Sequence, residues 1–229
     1  MPDLHSSWPW LMLLALGAFH GLNPAMGWLF AVALGLQEQR LRAVGTALGP
    51  IALGHAIAIA VVALPVGFLG MMITPRWLLI GGGLVLIGFA VWRTATRFRH
   101  PRWVGMRGGP RQLVLWSFLM ATAHGSGLML APAVALLTAS TPVAAASLHS
   151  EHLGHIEYTT GGGLNDVLAP AILGTALHTG SMLIVMGVIA IVVYRVLGVE
   201  MLRRVWINLD FIWDGALVIA GCAAIGLGL

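Results

Sequence analysis

Four histidines lie deep inside apolar segments of the sequence. His20, His55, His124 and His178 each stand about eleven or twelve residues from one end of a long hydrophobic run. At about 1.5 Å per residue, each would lie roughly 18 Å deep in a helix that crosses a bilayer. Imidazole is the commonest side-chain ligand for transition metals, and ionisable groups inside membranes are functional candidates. The four together therefore predict one shared metal site, against the alternative of four separately packed core histidines.

Asn23 adds a polar group beside the first of these histidines. It follows His20 by three residues and would share its helix face, as a metal ligand or as a side chain that orients one. Met26 and Met129 could offer thioethers, but methionine is common in membrane helices, and packing is the better interpretation for both.

Two aspartates in the stretch NLDFIWDG are candidates for a proton relay. Asp210 and Asp214 are four residues apart, and Asp214 lies about eight residues inside a hydrophobic segment. A carboxylate at that depth needs a partner or a water-filled cavity. The relay would pass protons between the histidines and the cytoplasmic side. The alternative is a pairing with Arg203 or Arg204, which suits Asp210 better.

A second group of histidines occurs in the polar stretch SLHSEHLGHIEY. His149, His152 and His155 are spaced by three residues and would lie along one face of a helix. Histidine-rich tracts are typical of metal capture, and three imidazoles suit Zn, Ni, Co or Cu(II). The sequence therefore predicts a metal-capture site in an outer loop, although an exposed loop can also carry three histidines by chance.

The elements that must position these residues are membrane helices. Of the 229 residues, 59% are hydrophobic and only 9% are charged, with a mean hydropathy of +0.91. Soluble domains carry about 25% charged residues, so the composition indicates an all-α membrane protein in contact with the lipid bilayer. The lone Cys222 excludes an intramolecular disulfide, and no basic run indicates nucleic acid. Apolar windows predict six spans: 9–36, 43–70, 76–93, 112–138, 167–194 and 206–228.

The arginines predict how these spans are oriented. The chain has no lysine, and eleven of its 12 basic residues fall in the loops after spans 1, 3 and 5, whereas Arg76 alone falls on the other side. The positive-inside rule therefore places both termini outside, in a bacterial-type inner membrane. The N-terminal stretch has no basic region or cleavage motif, so the first apolar segment is expected to be a retained span.

The two halves of the chain resemble each other. Span 1 contains HGLNPAMGWLFAVAL and span 4 contains HGSGLMLAPAVAL, and spans 2 and 5 each carry a histidine near glycine. Three spans per half give opposite orientations, so one integral membrane domain over 1–229 is predicted, built as a 3+3 inverted repeat. The repeats would cover 9–93 and 112–229, joined by a cytoplasmic arginine-rich loop at 94–111, with the histidine-rich outer loop at 139–166. Proline and glycine predict broken helices in spans 1 and 4, where transporters of this architecture bind substrate.

The same motifs resemble the nickel/cobalt exporter (NicO) family, within the LysE/CcdA-like superfamily of six-span inverted-repeat membrane proteins. The family pattern H-x-L-x-P-x-x-G is matched by His20, Leu22, Pro24 and Gly27, and the family's second-span histidine by His55. Asn23 stands where the family carries an acidic residue. The resemblance implies the six-span fold and a transition-metal substrate.

Three classes of function remain open from the sequence, none of them an enzyme. The first is a transporter of a divalent transition-metal cation of the Ni, Co, Zn or Cu class, coupled to protons. The second is a membrane redox protein that binds a metal or haem through histidine pairs. The third is a LysE-like exporter of a small organic solute. The sequence leaves open which metal is bound and whether the chain forms a homo-oligomer.

Overall fold

The chain folds into helices throughout the part that the structure describes. The computed structural model describes residues 4–96, 109–139, 164–197 and 209–229, and no strand occurs in these residues. The α-helices in these ranges are α1 (Leu4–Leu22), α2 (Trp28–Glu38), α3 (Leu41–Met72), α4 (Pro75–Thr96), α5 (Pro110–Ala123), α6 (Ser126–Ala139), α7 (Leu164–Val192) and α8 (Leu209–Gly228). A 3₁₀ turn, Pro24–Met26, joins α1 to α2, and α7 continues as a π-helical turn, Val193–Leu197. The predicted all-α class is confirmed for these residues.

Four of the described helices are long and apolar enough to cross a membrane. They contain Leu41–Gly70, Pro75–Thr96, Val167–Val196 and Phe211–Gly228. The α5–α6 pair, bent by 69°, adds a fifth span if it crosses as one unit. The predicted first span, 9–36, is not one helix: it forms α1 and the 11-residue α2 on either side of the 3₁₀ turn. The chain is thus a multi-pass helical protein, and its sixth span stays a prediction.

Helices from the two halves of the chain pack against each other. The extensive contacts join α1 to α7, α3 to both α5 and α6, α4 to α8, and α3 to α7. Two glycines allow the backbones to approach closely: a Cβ atom on Gly17 would overlap the carbonyl oxygen of His178, and one on Gly54 would overlap that of Val114. Small residues at helix contacts permit this approach in membranes. Since His20 and His55 follow these glycines closely, the same contacts place both histidines inside the bundle.

Among the described residues, the other buried apolar side chains form three clusters, and the outer surface of the helices is apolar as well. Large exposed hydrophobic side chains recur along the long helices, among them Leu53 and Val61 on α3, Val91 on α4 and Ile184 on α7. Such a continuous apolar surface is unusual for a soluble monomer and suits contact with lipid.

Both predicted helix breaks occur, and glycine with positive φ stands at each. The first break separates α1 from α2, and its Gly27 has φ 127°. The second separates α5 from α6, where His124 ends α5 and Gly125 has φ 68°. Residues other than glycine rarely adopt such φ values, so each glycine fixes where its helix is interrupted.

Candidate metal centre

Three of the four predicted histidines meet inside the bundle. His20 comes from the end of α1, His55 from the middle of α3 and His178 from the middle of α7. One ligand nitrogen of each lies within 4.8 Å of the other two, and all three side chains are fully buried. Three separate helices, drawn from both halves of the chain, therefore deliver one imidazole each to a single point.

Backbone carbonyls hold two of these rings in the tautomer that leaves Nε2 free to bind a metal. His20 Nδ1 donates to the carbonyl oxygen of Leu16 at 2.7 Å, and His178 Nδ1 donates to that of Leu13 at 3.2 Å. A carbonyl oxygen only accepts, so the proton of each neutral ring resides on Nδ1 and the Nε2 lone pair is left for a ligand. Metal-binding histidines in proteins are usually held by this same kind of bond.

The third ring, His55, has a different environment. Its Nε2 lies 3.5 Å from His178 Nε2, with the two rings nearly parallel at an interplanar angle of 5°. Because His178 Nε2 carries a lone pair, His55 Nε2 donates its proton to it when no ion is bound. To ligate through Nε2, His55 would move that proton to its buried Nδ1, which has no hydrogen-bond partner among the described residues.

The three nitrogens, which lie within 4.8 Å of one another, would have to move together by up to about 1.5 Å to bind one tetrahedral metal ion. Tetrahedral zinc bound by imidazoles at 2.0–2.1 Å places neighbouring nitrogens about 3.3 Å apart. The His55–His178 pair is close to this separation at 3.5 Å. His20 contacts both rings, with centroids at 5.4 Å from His55 and 4.7 Å from His178. Its buried Nε2 has no hydrogen-bond partner within the described ranges, which leaves that nitrogen available to an ion.

His124 does not belong to this group of three. Its Nδ1 donates to the carbonyl oxygen of Met120 at 2.8 Å, and its own carbonyl oxygen accepts from the indole nitrogen of Trp213 at 2.6 Å. The Trp213 ring contacts His124 and His20 edge to face, with centroids at 5.6 Å and 4.6 Å. His124 therefore lies beside the site with Trp213 in contact with both histidines, and its predicted role as a ligand stays a prediction.

Asn23 shapes the first helix break. Its Oδ1 accepts a hydrogen bond from the backbone nitrogen of Ala25 at 3.0 Å, which caps the 3₁₀ turn. The predicted ligand role would need Asn23 to serve the cap and an ion together. Met26 and Met129 both lie in one apolar cluster with Trp213, in keeping with packing.

The acidic candidate Asp214 has a partner that the sequence did not identify. Arg93 Nε lies 2.6 Å from Asp214 Oδ1, and the hydroxyl of Thr94 donates to Asp214 Oδ2 at 3.2 Å. The predicted relay through Asp214 would require this ion pair to open. Arg93 is one of the eleven arginines predicted to lie in cytoplasmic loops, but it lies within α4 and is 3% exposed.

The remaining predicted site residues fall where the structure gives no contacts. The outer-loop histidines His149, His152 and His155 lie outside the described residues, as do Arg203 and Arg204. Asp210 is in α8, but its side chain is not described. Metal capture by the loop and proton transfer by Asp210 therefore stay predictions.

Two residues were not predicted from the sequence: Trp213, whose ring contacts His20, and Arg93, which is ion-paired with the neighbouring Asp214. The one signal for Arg93 is its place at the last position of the predicted span 76–93. Trp213 is flanked by Ile212 and Asp214, and no spacing in the sequence links it to His20 or His124.

Comparisons with protein families, with characterised proteins and with solved structures find no match to this chain. The resemblance to nickel/cobalt exporters thus rests on the short motifs in spans 1, 2 and 4.

Proposed function

We propose that the protein is a membrane transporter for a transition-metal cation, which it binds at His20, His55 and His178. The observation that carries this proposal is the meeting of three fully buried imidazoles, from three helices, with ligand nitrogens within 4.8 Å of one another. Ionisable groups are costly inside a membrane protein and commonly mark the path of an ion.

The ligand type narrows the class of ion. Imidazole suits Zn, Cu, Ni and Co, whereas Ca²⁺ and Mg²⁺ prefer oxygen ligands. Among the described residues, the group of three offers only nitrogen. The substrate class is therefore a borderline transition metal, and the protein acts as a carrier with no enzymatic step.

The pairing of helices supports the 3+3 inverted repeat as the transport architecture. In the proposed repeat, α1 corresponds to α5, α3 to α7 and α4 to α8. When the halves are exchanged, the α1–α7 contact becomes the α5–α3 contact, and both contacts are extensive. The pairs α3–α7 and α4–α8 map onto themselves under the same exchange. In transporters with inverted repeats, substrate binds at the interface between the repeats, next to interrupted helices. The histidine group occupies such an interface and adjoins the first helix break.

Protons provide a means of coupling. A metal and a proton compete for the same nitrogens, so protonation of the histidines would expel the ion. Acidification should release bound metal, and transport should change with a proton gradient across the membrane.

The two alternatives fit the geometry less well. A haem held between His55 and His178 would collide with His20, whose ligand nitrogen lies within 4.8 Å of both. For an organic solute, the group of three provides no anion to pair with a charged substrate and little space around three buried rings.

The first test is the metal content of the protein purified without chelator and without a histidine tag, followed by uptake of Zn²⁺, Ni²⁺, Co²⁺ and Cu²⁺ into proteoliposomes. We expect about one ion per chain and uptake that His178→Ala abolishes. A matched control is His5→Ala, because His5 lies about 22 Å along α1 from His20. An absorption band typical of haem, or equal metal content in the wild-type and His178→Ala proteins, would contradict the proposal.

The proposed orientation can be tested separately. With both termini outside, a reporter fused after Leu229 should behave as extracytoplasmic, and one inserted in the 97–108 segment as cytoplasmic. The opposite pattern would reverse the assignment of inner and outer loops.

The predicted capture loop has its own kinetic signature. Replacing His149, His152 and His155 with serine should reduce uptake at low metal concentration and spare the maximal rate, because capture raises the local concentration only. Equal loss at all concentrations would show a different role for the loop.

A further inference from the structure

Arg93 is a buried cation that the proposed metal site does not use. It is 3% exposed and ion-paired with Asp214, which is 16% exposed. A charged side chain within a membrane helix is costly, and a buried charge persists only when it is paired and hydrogen-bonded. A reason for its presence must therefore lie in what it contacts.

Arg93 and Trp213 both donate to the second helix break. Arg93 Nη1 donates to the carbonyl oxygen of Ala123 at 3.4 Å, and Trp213 Nε1 donates to that of His124 at 2.6 Å. These are the consecutive carbonyls where α5 stops and α6 has not yet begun. In a membrane interior, an unsatisfied carbonyl costs several kcal/mol, so a broken helix needs donors from elsewhere.

Trp213 extends these contacts to the metal site. Its ring contacts His20 edge to face at 4.6 Å and stacks on Phe19 at 5.2 Å with an interplanar angle of 10°. Trp213 is 2% exposed and directly precedes Asp214, so the ion pair fixes the turn of α8 from which the indole projects. One set of contacts thus runs from Arg93, through Asp214 and Trp213, to His20.

We propose that Arg93, Asp214 and Trp213 form a brace that holds the α5–α6 break and sets the position of His20 in the metal site. They are positioning residues and not ligands. Arg93 supplies one donor to the break, Asp214 neutralises and orients Arg93, and Trp213 supplies the second donor and packs on His20. The effect on metal binding rests on the proposed function, whereas the effect on the helix break does not.

The first experiment is a double-mutant cycle on the melting temperature of the detergent-solubilised full chain. Asp214→Asn removes the carboxylate that pairs with the buried guanidinium and should lower Tm by on the order of 10 °C. The double variant Arg93→Gln/Asp214→Asn carries neither charge of this pair and should melt above Asp214→Asn. The control Arg76→Gln removes an exposed arginine from the same helix and should shift Tm by about 2 °C or less.

A second cycle tests whether the two donors act on one break. Arg93 and Trp213 donate to adjacent carbonyls, so the effects of Arg93→Gln and Trp213→Phe on Tm should not add. The fall in Tm of the double variant should be clearly smaller than the sum of the falls in the two single variants. Additive losses, or an Asp214→Asn variant that melts like the wild type, would overturn the brace.

The third measurement separates positioning from simple destabilisation. Arg93→Gln and Trp213→Phe should each weaken metal binding by about tenfold or more, the range found when partners of metal ligands are removed. Val44→Ala, in the apolar cluster at the start of α3, eleven residues from His55, should lower Tm without touching the brace and should keep wild-type affinity. Equal loss of affinity in Val44→Ala would refute the positioning role. A wild-type protein that binds no metal would refute the proposed function instead, and the two Tm cycles would still decide the brace.

Discussion

The two helix breaks solve the same problem in different ways. At the first break, the donors and acceptors come from neighbouring residues: Asn23 Oδ1 accepts from Ala25, the nitrogen of Gly27 donates to Pro24, and the indole of Trp28 donates to the carbonyl of Leu22 at 3.3 Å. Every one of these bonds joins residues at most six positions apart. The hydrogen bonds described at this break are therefore all local.

The second break depends on distant parts of the chain. The donors to Ala123 and His124 come from Arg93, 30 residues away, and Trp213, 89 residues away. The α4–α8 pair must dock before this break is satisfied. A local change at the first break should therefore stay local, whereas one at the second should spread to the α4–α8 pair and the metal site.

The largest expected difference concerns the histidine beside each break. His20→Ala removes one of the three proposed ligands and should lower metal affinity by about 100-fold or more, because loss of an outer partner alone costs about 10–100-fold. His124→Ala removes a ring that only adjoins the group and should cost about tenfold or less. Isothermal titration with Zn²⁺ measures both. Equal losses would place His124 among the ligands, as the sequence predicted.

The glycines of the breaks should also differ. Gly27 has φ 127°, outside the left-handed helical region, and a Cβ atom there would approach Ile51 Cγ2 to 2.6 Å. Gly27→Ala should destabilise the protein by about 2–3 kcal/mol. Gly125 has φ 68°, which asparagine can adopt, although a Cβ atom there would approach Phe89 Cε1 to 2.9 Å, so Gly125→Asn should cost about 1–2 kcal/mol. Thermal unfolding compares the pair, and a larger loss at Gly125 would contradict this order.

The two indole donors provide a matched comparison. Trp213→Phe leaves a buried carbonyl without its 2.6 Å bond and should cost about 1–3 kcal/mol. Trp28→Phe removes a longer bond of 3.3 Å at the surface of the helix bundle and should cost less, about 0.5–1 kcal/mol. Unfolding of the two variants in the same detergent tests this. Similar losses would show that the second break does not depend on its distant donor.

The smallest expected difference is the one between two variants of Asn23. Asn23→Ala removes the cap of the 3₁₀ turn and should cost about 1 kcal/mol, whereas Asn23→Ser keeps a cap and should restore most of it. Metal affinity should be unchanged in Asn23→Ser if Asn23 only caps. A fall of tenfold or more in that variant would identify Asn23 as a ligand.

The sequence by itself determined the features that depend on local chemistry. Long apolar runs indicated the helical class and most helix positions. Pro24 and Gly27 marked the first break and Gly125 the second, because backbone limits act within a few residues. The depth of His20, His55 and His178 along their segments already predicted a common level, since the rise per residue of a helix is constant.

Tertiary structure decided which of these residues meet. Rotation of each helix about its axis, set by close contacts such as Gly17 against α7, brought three histidines together and left His124 beside them. The same packing buried Arg93 against Asp214 and turned Trp213 towards the second break. No local pattern encodes these pairings, because the partners are separated by 30 to 121 residues and meet only when α4 and α8 dock as a pair.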